Sequence, residues 1–177
     1  MQAALDMADQ GFKVALVEKD PSIGGKMITL SKVFPTLDCC SCITTPKMSA
    51  VAHHPNILLL TYCEMDSLVD LSPGFRMGIT KKPRFVIENK CTGCRQCEYS
   101  CPVTIPSPYD RDLGTFHAIR VPYSTAVPQI AVLDMDNCIL CGICERVCPT
   151  KAVDYTQVAE SFEIEASSII VATGFEL

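Results

Sequence analysis

Three features are missing from this sequence of 177 residues. No apolar run approaches the roughly 20 residues that a membrane-spanning helix needs, and the longest runs, Ile57–Leu60 and Ile169–Ala172, suit buried strands. The N-terminus lacks the basic and apolar segments of a secretory signal peptide, so we expect a cytoplasmic protein. The 15 basic residues are scattered and the net charge is −5, which argues against a nucleic-acid groove.

Cysteine, in contrast, is abundant. The chain has 12 cysteines within a globular composition of 48% hydrophobic and 20% charged residues. Without an export signal, this density indicates metal binding rather than disulfides.

Eight of the cysteines form two runs of the pattern C-x-x-C-x-x-C-x-x-x-C-P. The runs consist of Cys91, Cys94, Cys97 and Cys101, and of Cys138, Cys141, Cys144 and Cys148. Each member of the second run lies 47 residues after its counterpart, so one supersecondary unit is used twice. Strand-like runs accompany these units at Arg84–Glu88, Ile130–Asp134 and Lys151–Tyr155. The pattern predicts a small, pseudo-symmetric α+β module like a two-cluster bacterial ferredoxin.

The cysteine spacing predicts two 4Fe–4S clusters. Three closely spaced thiolates converge on one cubane, whereas the fourth cysteine of each run ligates the other cluster in the bacterial ferredoxin arrangement. The predicted ligands are Cys91, Cys94, Cys97 and Cys148 for one cluster, and Cys138, Cys141, Cys144 and Cys101 for the other. Gly93 and Gly142 allow the backbone to approach a cluster closely. A zinc site favours two separated cysteine pairs, disulfides need an oxidising compartment, and redox-active C-x-x-C motifs usually occur singly.

The flanks of the cysteine module predict parts of a flavin-binding domain. A helix tail at Leu5–Asp9, capped by Gly11, precedes an apolar strand that ends in Glu18, an order typical of dinucleotide-binding βαβ units. Paired glycines follow, and Ser168–Gly174 has the pattern of a strand returning to the cofactor. The expected FAD-binding residues are Glu18, Lys19, Gly24, Gly25, Lys26, Ala172, Thr173 and Gly174. A plain turn is the alternative for the glycines.

These patterns predict an α/β Rossmann-like fragment with an inserted ferredoxin-like domain. The expected divisions are a partial FAD-binding domain with a cysteine-rich segment at 1–80, the insert at 81–158, and a return strand at 159–177. The Gly-rich phosphate loop is not present before the first helix, so we expect a fragment with weak FAD binding and no activity by itself. The connection Val103–Gln129, punctuated by Pro106, Pro108, Pro122 and Pro128, is expected to be solvated padding, with cluster shielding or partner docking as alternatives.

A third cysteine group precedes the repeat. Cys39 and Cys42 are expected to bind a further iron–sulfur cluster, and Cys40 and Cys63 are weaker candidates that also suit buried apolar positions. The adjacent His53 and His54 are expected at a helix end or turn rather than on a metal.

Several longer stretches carry a family resemblance. They include Val14–Lys19, Ser22–Met27, Phe34–Cys42, Thr45–Met48, His54–Ile57, Leu59–Tyr62, Lys81–Arg84, both cysteine runs and Ile169–Glu176. In this order they resemble the iron–sulfur flavoprotein subunit of heterodisulfide reductase, the subunit designated A, from methanogens and related anaerobes. The resemblance implies FAD, several 4Fe–4S clusters, a cytoplasmic multi-subunit oxidoreductase complex and, in some members, flavin-based electron bifurcation. It also implies partner subunits, with a hydrogenase or a ferredoxin among the candidates.

The expected function is electron transfer between FAD and partner subunits through the clusters. No catalytic residue is assigned, because no base-activated thiol pair for disulfide attack is evident. The alternatives are a free-standing ferredoxin, the flavoprotein subunit of a quinone-interacting oxidoreductase, and a structural zinc protein.

Overall fold

A computed structural model describes residues 1–107, 109–110 and 112–174. Pro108 of the connection and residues 175–177 of the return segment lie outside this part. The described residues pack around two hydrophobic cores, one in the N-terminal region and one between the cysteine runs. None of the helices in these ranges is long and apolar enough to cross a bilayer.

The N-terminal region alternates helices and strands. Its elements are α1 (Gln2–Asp9), β1 (Val14–Glu18), a 3-10 turn (Gly25–Thr29), β2 (Lys32–Val33), β3 (Asp38–Cys39), α2 (Cys40–His53) and β4 (Ile57–Thr61). The predicted cap of α1 is confirmed. Gly11 has a φ of 91°, and its N–H donates to Ala8 O at 3.0 Å, while Phe12 N–H donates to Met7 O at 3.2 Å.

Strands β1 and β4 are parallel, with Val14 opposite Ile57 and Glu18 opposite Thr61, and α2 lies in the crossover between them. The core beneath them contains Ile23, Met48 and Val51. The interpretation of β1 as a fully buried strand is wrong. Ala15 and Val17 face outward and are exposed, so only one face of β1 is covered in the described part of the chain.

An antiparallel sheet of three strands was not predicted. It has the order β11 (Glu160–Ala166), β6 (Phe75–Lys81) and β5 (Cys63–Asp70). The expected return strand at 168–174 is wrong as a strand, because these residues form no ladder with any described strand. A strand forms only where a neighbour accepts its backbone hydrogen bonds, and it is β11, paired with β6, that has such a neighbour.

The cysteine module contains short elements. They are α3 (Gln96–Ser100), β7 (Thr104–Pro106), β8 (Thr115–His117), β9 (Ile119–Arg120), β10 (Val132–Leu133) and α4 (Ile143–Val147). The strands predicted at Arg84–Glu88 and Lys151–Tyr155 are reduced to one antiparallel bridge between Val86 and Val153. Left-handed residues interrupt both runs, with a φ of 55° at Phe85 and 51° at Lys151.

The connection between the cysteine runs is packed, so the expectation of solvated padding is wrong. Its residues Ala118, Ile119 and Val121 are buried, and the last two belong to the core of the cysteine module. Tyr123 packs against both cores. The proline punctuation correctly indicated an irregular path, but the alternation of small and apolar side chains was the better guide to burial.

Candidate metal centres and their surroundings

Two cavities between the cysteine runs contain all eight repeated cysteines. The first, of about 300 Å³ and partly open to solvent, is lined by Cys101, Cys138, Cys141 and Cys144. The second, of about 370 Å³, is lined by Cys91, Cys94, Cys97 and Cys148. Each cavity therefore takes three cysteines from one run and the fourth from the other run.

The local backbone explains how each run wraps around a cavity. Gly93 and Arg95 in the first run, and Leu140 and Gly142 in the second, all have left-handed φ values of 53–71°. These residues turn the loop before α3 and α4 begin. The C-cap residues Cys101 and Cys148 have nearly equal backbone angles, φ −74° in both and ψ of 123° and 112°. The following proline cannot continue the helix, so both chains leave toward the other half.

The cavity walls are mainly apolar, and this burial disfavours charged thiolates in the metal-free chain. Burial raises the pKa of Cys97 to about 12 and also raises the pKa of Cys144. Burial acts in the same direction on Cys148, but hydrogen bonds from Ala152 N–H and Thr150 outweigh it and lower the pKa. Bound iron would compensate the charge of such thiolates.

Several donors and hydroxyl groups contact the cysteine sulfurs. Leu140 N–H donates to Cys138 Sγ at 3.3 Å, and Ala152 N–H donates to Cys148 Sγ at 3.3 Å. The Tyr155 hydroxyl lies 3.2 Å from Cys144 Sγ. The sequence interpretation missed the role of Tyr155, and the only signal was its position just after the second cysteine run.

The donor set fits clusters better than single ions. In the described ranges, no three Cys, His or carboxylate side chains converge closely enough to chelate one metal ion. Mononuclear zinc requires such convergence, since Zn–S bonds are about 2.3 Å long. A cubane holds its thiolate ligands further apart, at separate corners, as four cysteines spread around a cavity do.

The third cysteine group divides into an exposed pair and a buried pair. Cys39 and Cys42 are exposed at the start of α2, where the Cys42 backbone N–H and then its thiol lower the pKa of Cys39. Hydrogen bonding to Cys39 raises the pKa of Cys42. Cys40 and Cys63 are buried, and Cys63 donates to Thr61 O at 3.4 Å. The thiol contact between Cys39 and Cys42 was not evident from the sequence.

The predicted flavin residues are only partly assembled. Glu18 ends β1, burial raises its pKa, and its carboxylate accepts from Asp20 N–H at 3.1 Å. Lys19, Gly25 and Lys26 follow nearby in the chain, and a side chain at Gly25 would meet nothing within 4 Å. Gly24 serves internal packing instead, because a Cβ there would lie 2.7 Å from Ile28 and 3.0 Å from the Tyr123 hydroxyl.

The other predicted flavin segment is separate from this site. Ala172, Thr173 and Gly174 are exposed, and within the described residues they form no ladder with β1. The expected convergence of both flanks in one sheet is therefore not observed.

Two side chains connect the cysteine module to the N-terminal region. Arg84 is 2% exposed and donates to Pro21 O at 2.8 Å and Thr61 Oγ1 at 2.7 Å. The Tyr123 hydroxyl donates to Ile23 O and is hydrogen-bonded to Ser22 Oγ at 2.7 Å. These contacts were not predicted.

Comparisons with known proteins support the same chemistry. A family described as "4Fe-4S dicluster domain" matches residues 90–152. The chain is 49% identical over 176 residues to the iron–sulfur subunit, designated A, of the CoB–CoM heterodisulfide reductase of Methanocaldococcus jannaschii, covering 99% of this chain and 27% of that protein. It is 45% identical over 178 residues to the corresponding subunit of the ferredoxin:CoB-CoM heterodisulfide reductase of Methanosarcina mazei, covering 100% of this chain and 22% of that protein. The chain thus spans about a quarter of the length of these relatives.

Proposed function

Because this chain is homologous over nearly all its residues to the iron–sulfur flavoprotein subunit of heterodisulfide reductase, we propose that it transfers electrons within an oxidoreductase complex of that type. In this proposal electrons pass between FAD and partner subunits, and 4Fe–4S clusters supply the one-electron redox centres. The observation that carries it is the pair of cavities, each lined by four cysteines, on one shared core.

We assign the cluster ligands in a crossed arrangement. One cluster takes Cys91, Cys94, Cys97 and Cys148, and the other takes Cys138, Cys141, Cys144 and Cys101. The lining of the two cavities supports this grouping. The chain's own contribution is to hold the thiolates, to donate hydrogen bonds to sulfur from Leu140 and Ala152, and to keep water away with apolar walls.

A third iron–sulfur site is proposed at Cys39 and Cys42. Their exposure and mutual contact support it, with the remaining ligands coming from outside this group. The burial of Cys40 and Cys63 favours the alternative weighed for them, small apolar core residues.

FAD binding is proposed at the end of β1. The parallel β1–α2–β4 unit, Glu18 at the strand end and the open surroundings of Gly25 support this site. Lys19, Gly24, Lys26, Ala172, Thr173 and Gly174 stay predictions. The partners of the complex, among them a hydrogenase or a ferredoxin, and its cytoplasmic location belong to the same proposal.

The contacts of the module argue against a free-standing ferredoxin. A diffusing carrier has no need of Arg84 and Tyr123 bound to residues outside its cluster core. The packed connection between the cysteine runs joins both cores in the same way.

Anaerobic reconstitution with iron and sulfide tests the proposal. We expect about eight irons and a matching amount of acid-labile sulfide per chain, or about 12 if the third site fills. The brown colour should bleach with dithionite. A colourless protein with about two metal ions and no labile sulfide would refute it and favour structural zinc.

A further inference from the structure

The two cysteine loops share a backbone but present different surfaces. We infer that the loop containing Ile139 and Leu140, together with the acids Asp136 and Glu145, is a docking surface for a basic redox protein with an apolar contact area. We call these four residues the docking loop. The inference rests on the proposed electron-transfer function and specifies where an electron leaves or enters.

Exposure without a packing role distinguishes this loop. Ile139 and Leu140 are 65% and 62% exposed. Their counterparts 47 residues earlier are Thr92 and Gly93. Solvent-exposed apolar pairs of this kind are typical of contact sites when they lie beside a functional centre.

The backbone at Leu140 adds a second observation. Its φ is 53°, a left-handed conformation that is unfavourable for a bulky side chain. Gly93 is needed at the matching position, because a Cβ there would lie 2.6 Å from Gln129 O. Leu140 is exposed and its side chain is not part of the buried core, so core packing does not explain why leucine stands in this conformation.

The loop is also adjacent to cysteine sulfur. Leu140 N–H donates to Cys138 Sγ at 3.3 Å, and Ile139 helps to line the first cavity. A protein that covers the docking loop would therefore lie within a residue of two proposed cluster ligands. This places the surface where a short electron path requires it.

Charge identifies the partner class. Asp136 and Glu145 are exposed, and neither takes part in an ion pair among the described residues. Arg146 is the one cation between residues 136 and 147, whereas the first loop has Lys90 and Arg95 where the second has Asn137 and Gly142. An acidic rim around an apolar centre complements a partner with lysine or arginine around its own redox group.

Oxidised cytochrome c, a basic haem protein, is a suitable probe. Its binding to the cluster-loaded chain is measured by titration calorimetry at low and high salt. The variants are Ile139→Ser, Leu140→Gly and Asp136→Asn, with Leu113→Ser as a matched control that removes another apolar side chain, 91% exposed, outside the loops. Leu140→Gly suits the left-handed backbone, so it should not impair folding.

We expect Ile139→Ser and Leu140→Gly each to weaken binding about tenfold, the loss for exposing one apolar side chain. Asp136→Asn should reduce the salt dependence, and Leu113→Ser should bind like the parent chain. Transfer of one electron from the reduced chain to the ferric haem should slow in parallel, while reduction of hexaammineruthenium(III), which needs no apolar contact, should not.

Three results would overturn the inference. The first is unchanged binding in both loop variants. The second is an equal loss in Leu113→Ser. The third is a concentration-dependent dimer of the parent chain that the loop variants abolish, because a second copy would then occupy the surface. All variants must retain the parent iron content; a parent chain that fails to load iron contradicts the proposed function rather than this surface.

Discussion

Double replacements of cysteines can test the crossed ligand arrangement. Each cavity is lined by three cysteines of one run and one of the other, so two replacements in the same cavity should cost no more iron than one. In a chain carrying Cys39→Ala and Cys42→Ala, which removes the proposed third site, we expect about eight irons. Adding Cys91→Ala should leave about four, because one cluster contributes four irons.

The informative step is the second replacement. Cys91→Ala with Cys148→Ala should still leave about four irons, whereas Cys91→Ala with Cys101→Ala should leave almost none, because each cluster then lacks a ligand. Iron and labile sulfide are measured after anaerobic reconstitution. Cys63→Ala is the control, since Cys63 is buried but lines neither cavity.

An uncrossed arrangement would reverse the two double variants. Cys91→Ala with Cys101→Ala would then retain about four irons, and Cys91→Ala with Cys148→Ala would lose both clusters. That result would refute the assignment while leaving the presence of clusters intact.

Two further predictions concern stability. Tyr123→Phe removes the hydroxyl contacts with Ser22 and Ile23 and should cost about 1–2 kcal/mol, a fall of about 2–8 °C in Tm by calorimetry. Burial raises the pKa of Tyr123 from 10.0 to about 12, so the neutral hydroxyl is favoured in the folded state. Its contribution is therefore complete below pH 10 and is lost as the pH rises through about 12, and this loss should be absent in Tyr123→Phe; the same alkaline profile in both chains would contradict it. Gly93→Ala should destabilise more in urea than Gly11→Ala, because both have positive φ but only at Gly93 does a Cβ meet a backbone oxygen, at 2.6 Å. Equal losses of about 1 kcal/mol would mean that backbone conformation alone matters.

The sequence predicted the metal centres far better than the flanks, for a physical reason. Cluster ligation depends on spacing within a short run, and the 47-residue offset between Cys91 and Cys138 is visible without knowing the fold. Strands depend on distant partners. The run Ser168–Gly174 is apolar enough for a strand, but the described residues provide no ladder for it.

The missed sheet did have a signal. In Glu160–Ala166, Phe162 and Ile164 alternate with charged residues, the pattern of a strand with one covered face. Contacts such as Arg84 with Thr61 or Tyr123 with Ser22 had no such signal, because they join residues separated by 23 and 101 positions through single side chains. The pairing of Cys39 with Cys42 depends on the exact start of α2, which spacing alone does not specify.

The exchange of the fourth cysteine between cavities has a consequence for assembly. A metal group entering either cavity must fix a loop from one half and a helix end from the other, so the first arrival organises most of the second site before anything occupies it. Iron loading should then be cooperative, with chains either empty or doubly filled and few half-filled ones. Damage at one cavity would, by the same coupling, loosen its neighbour.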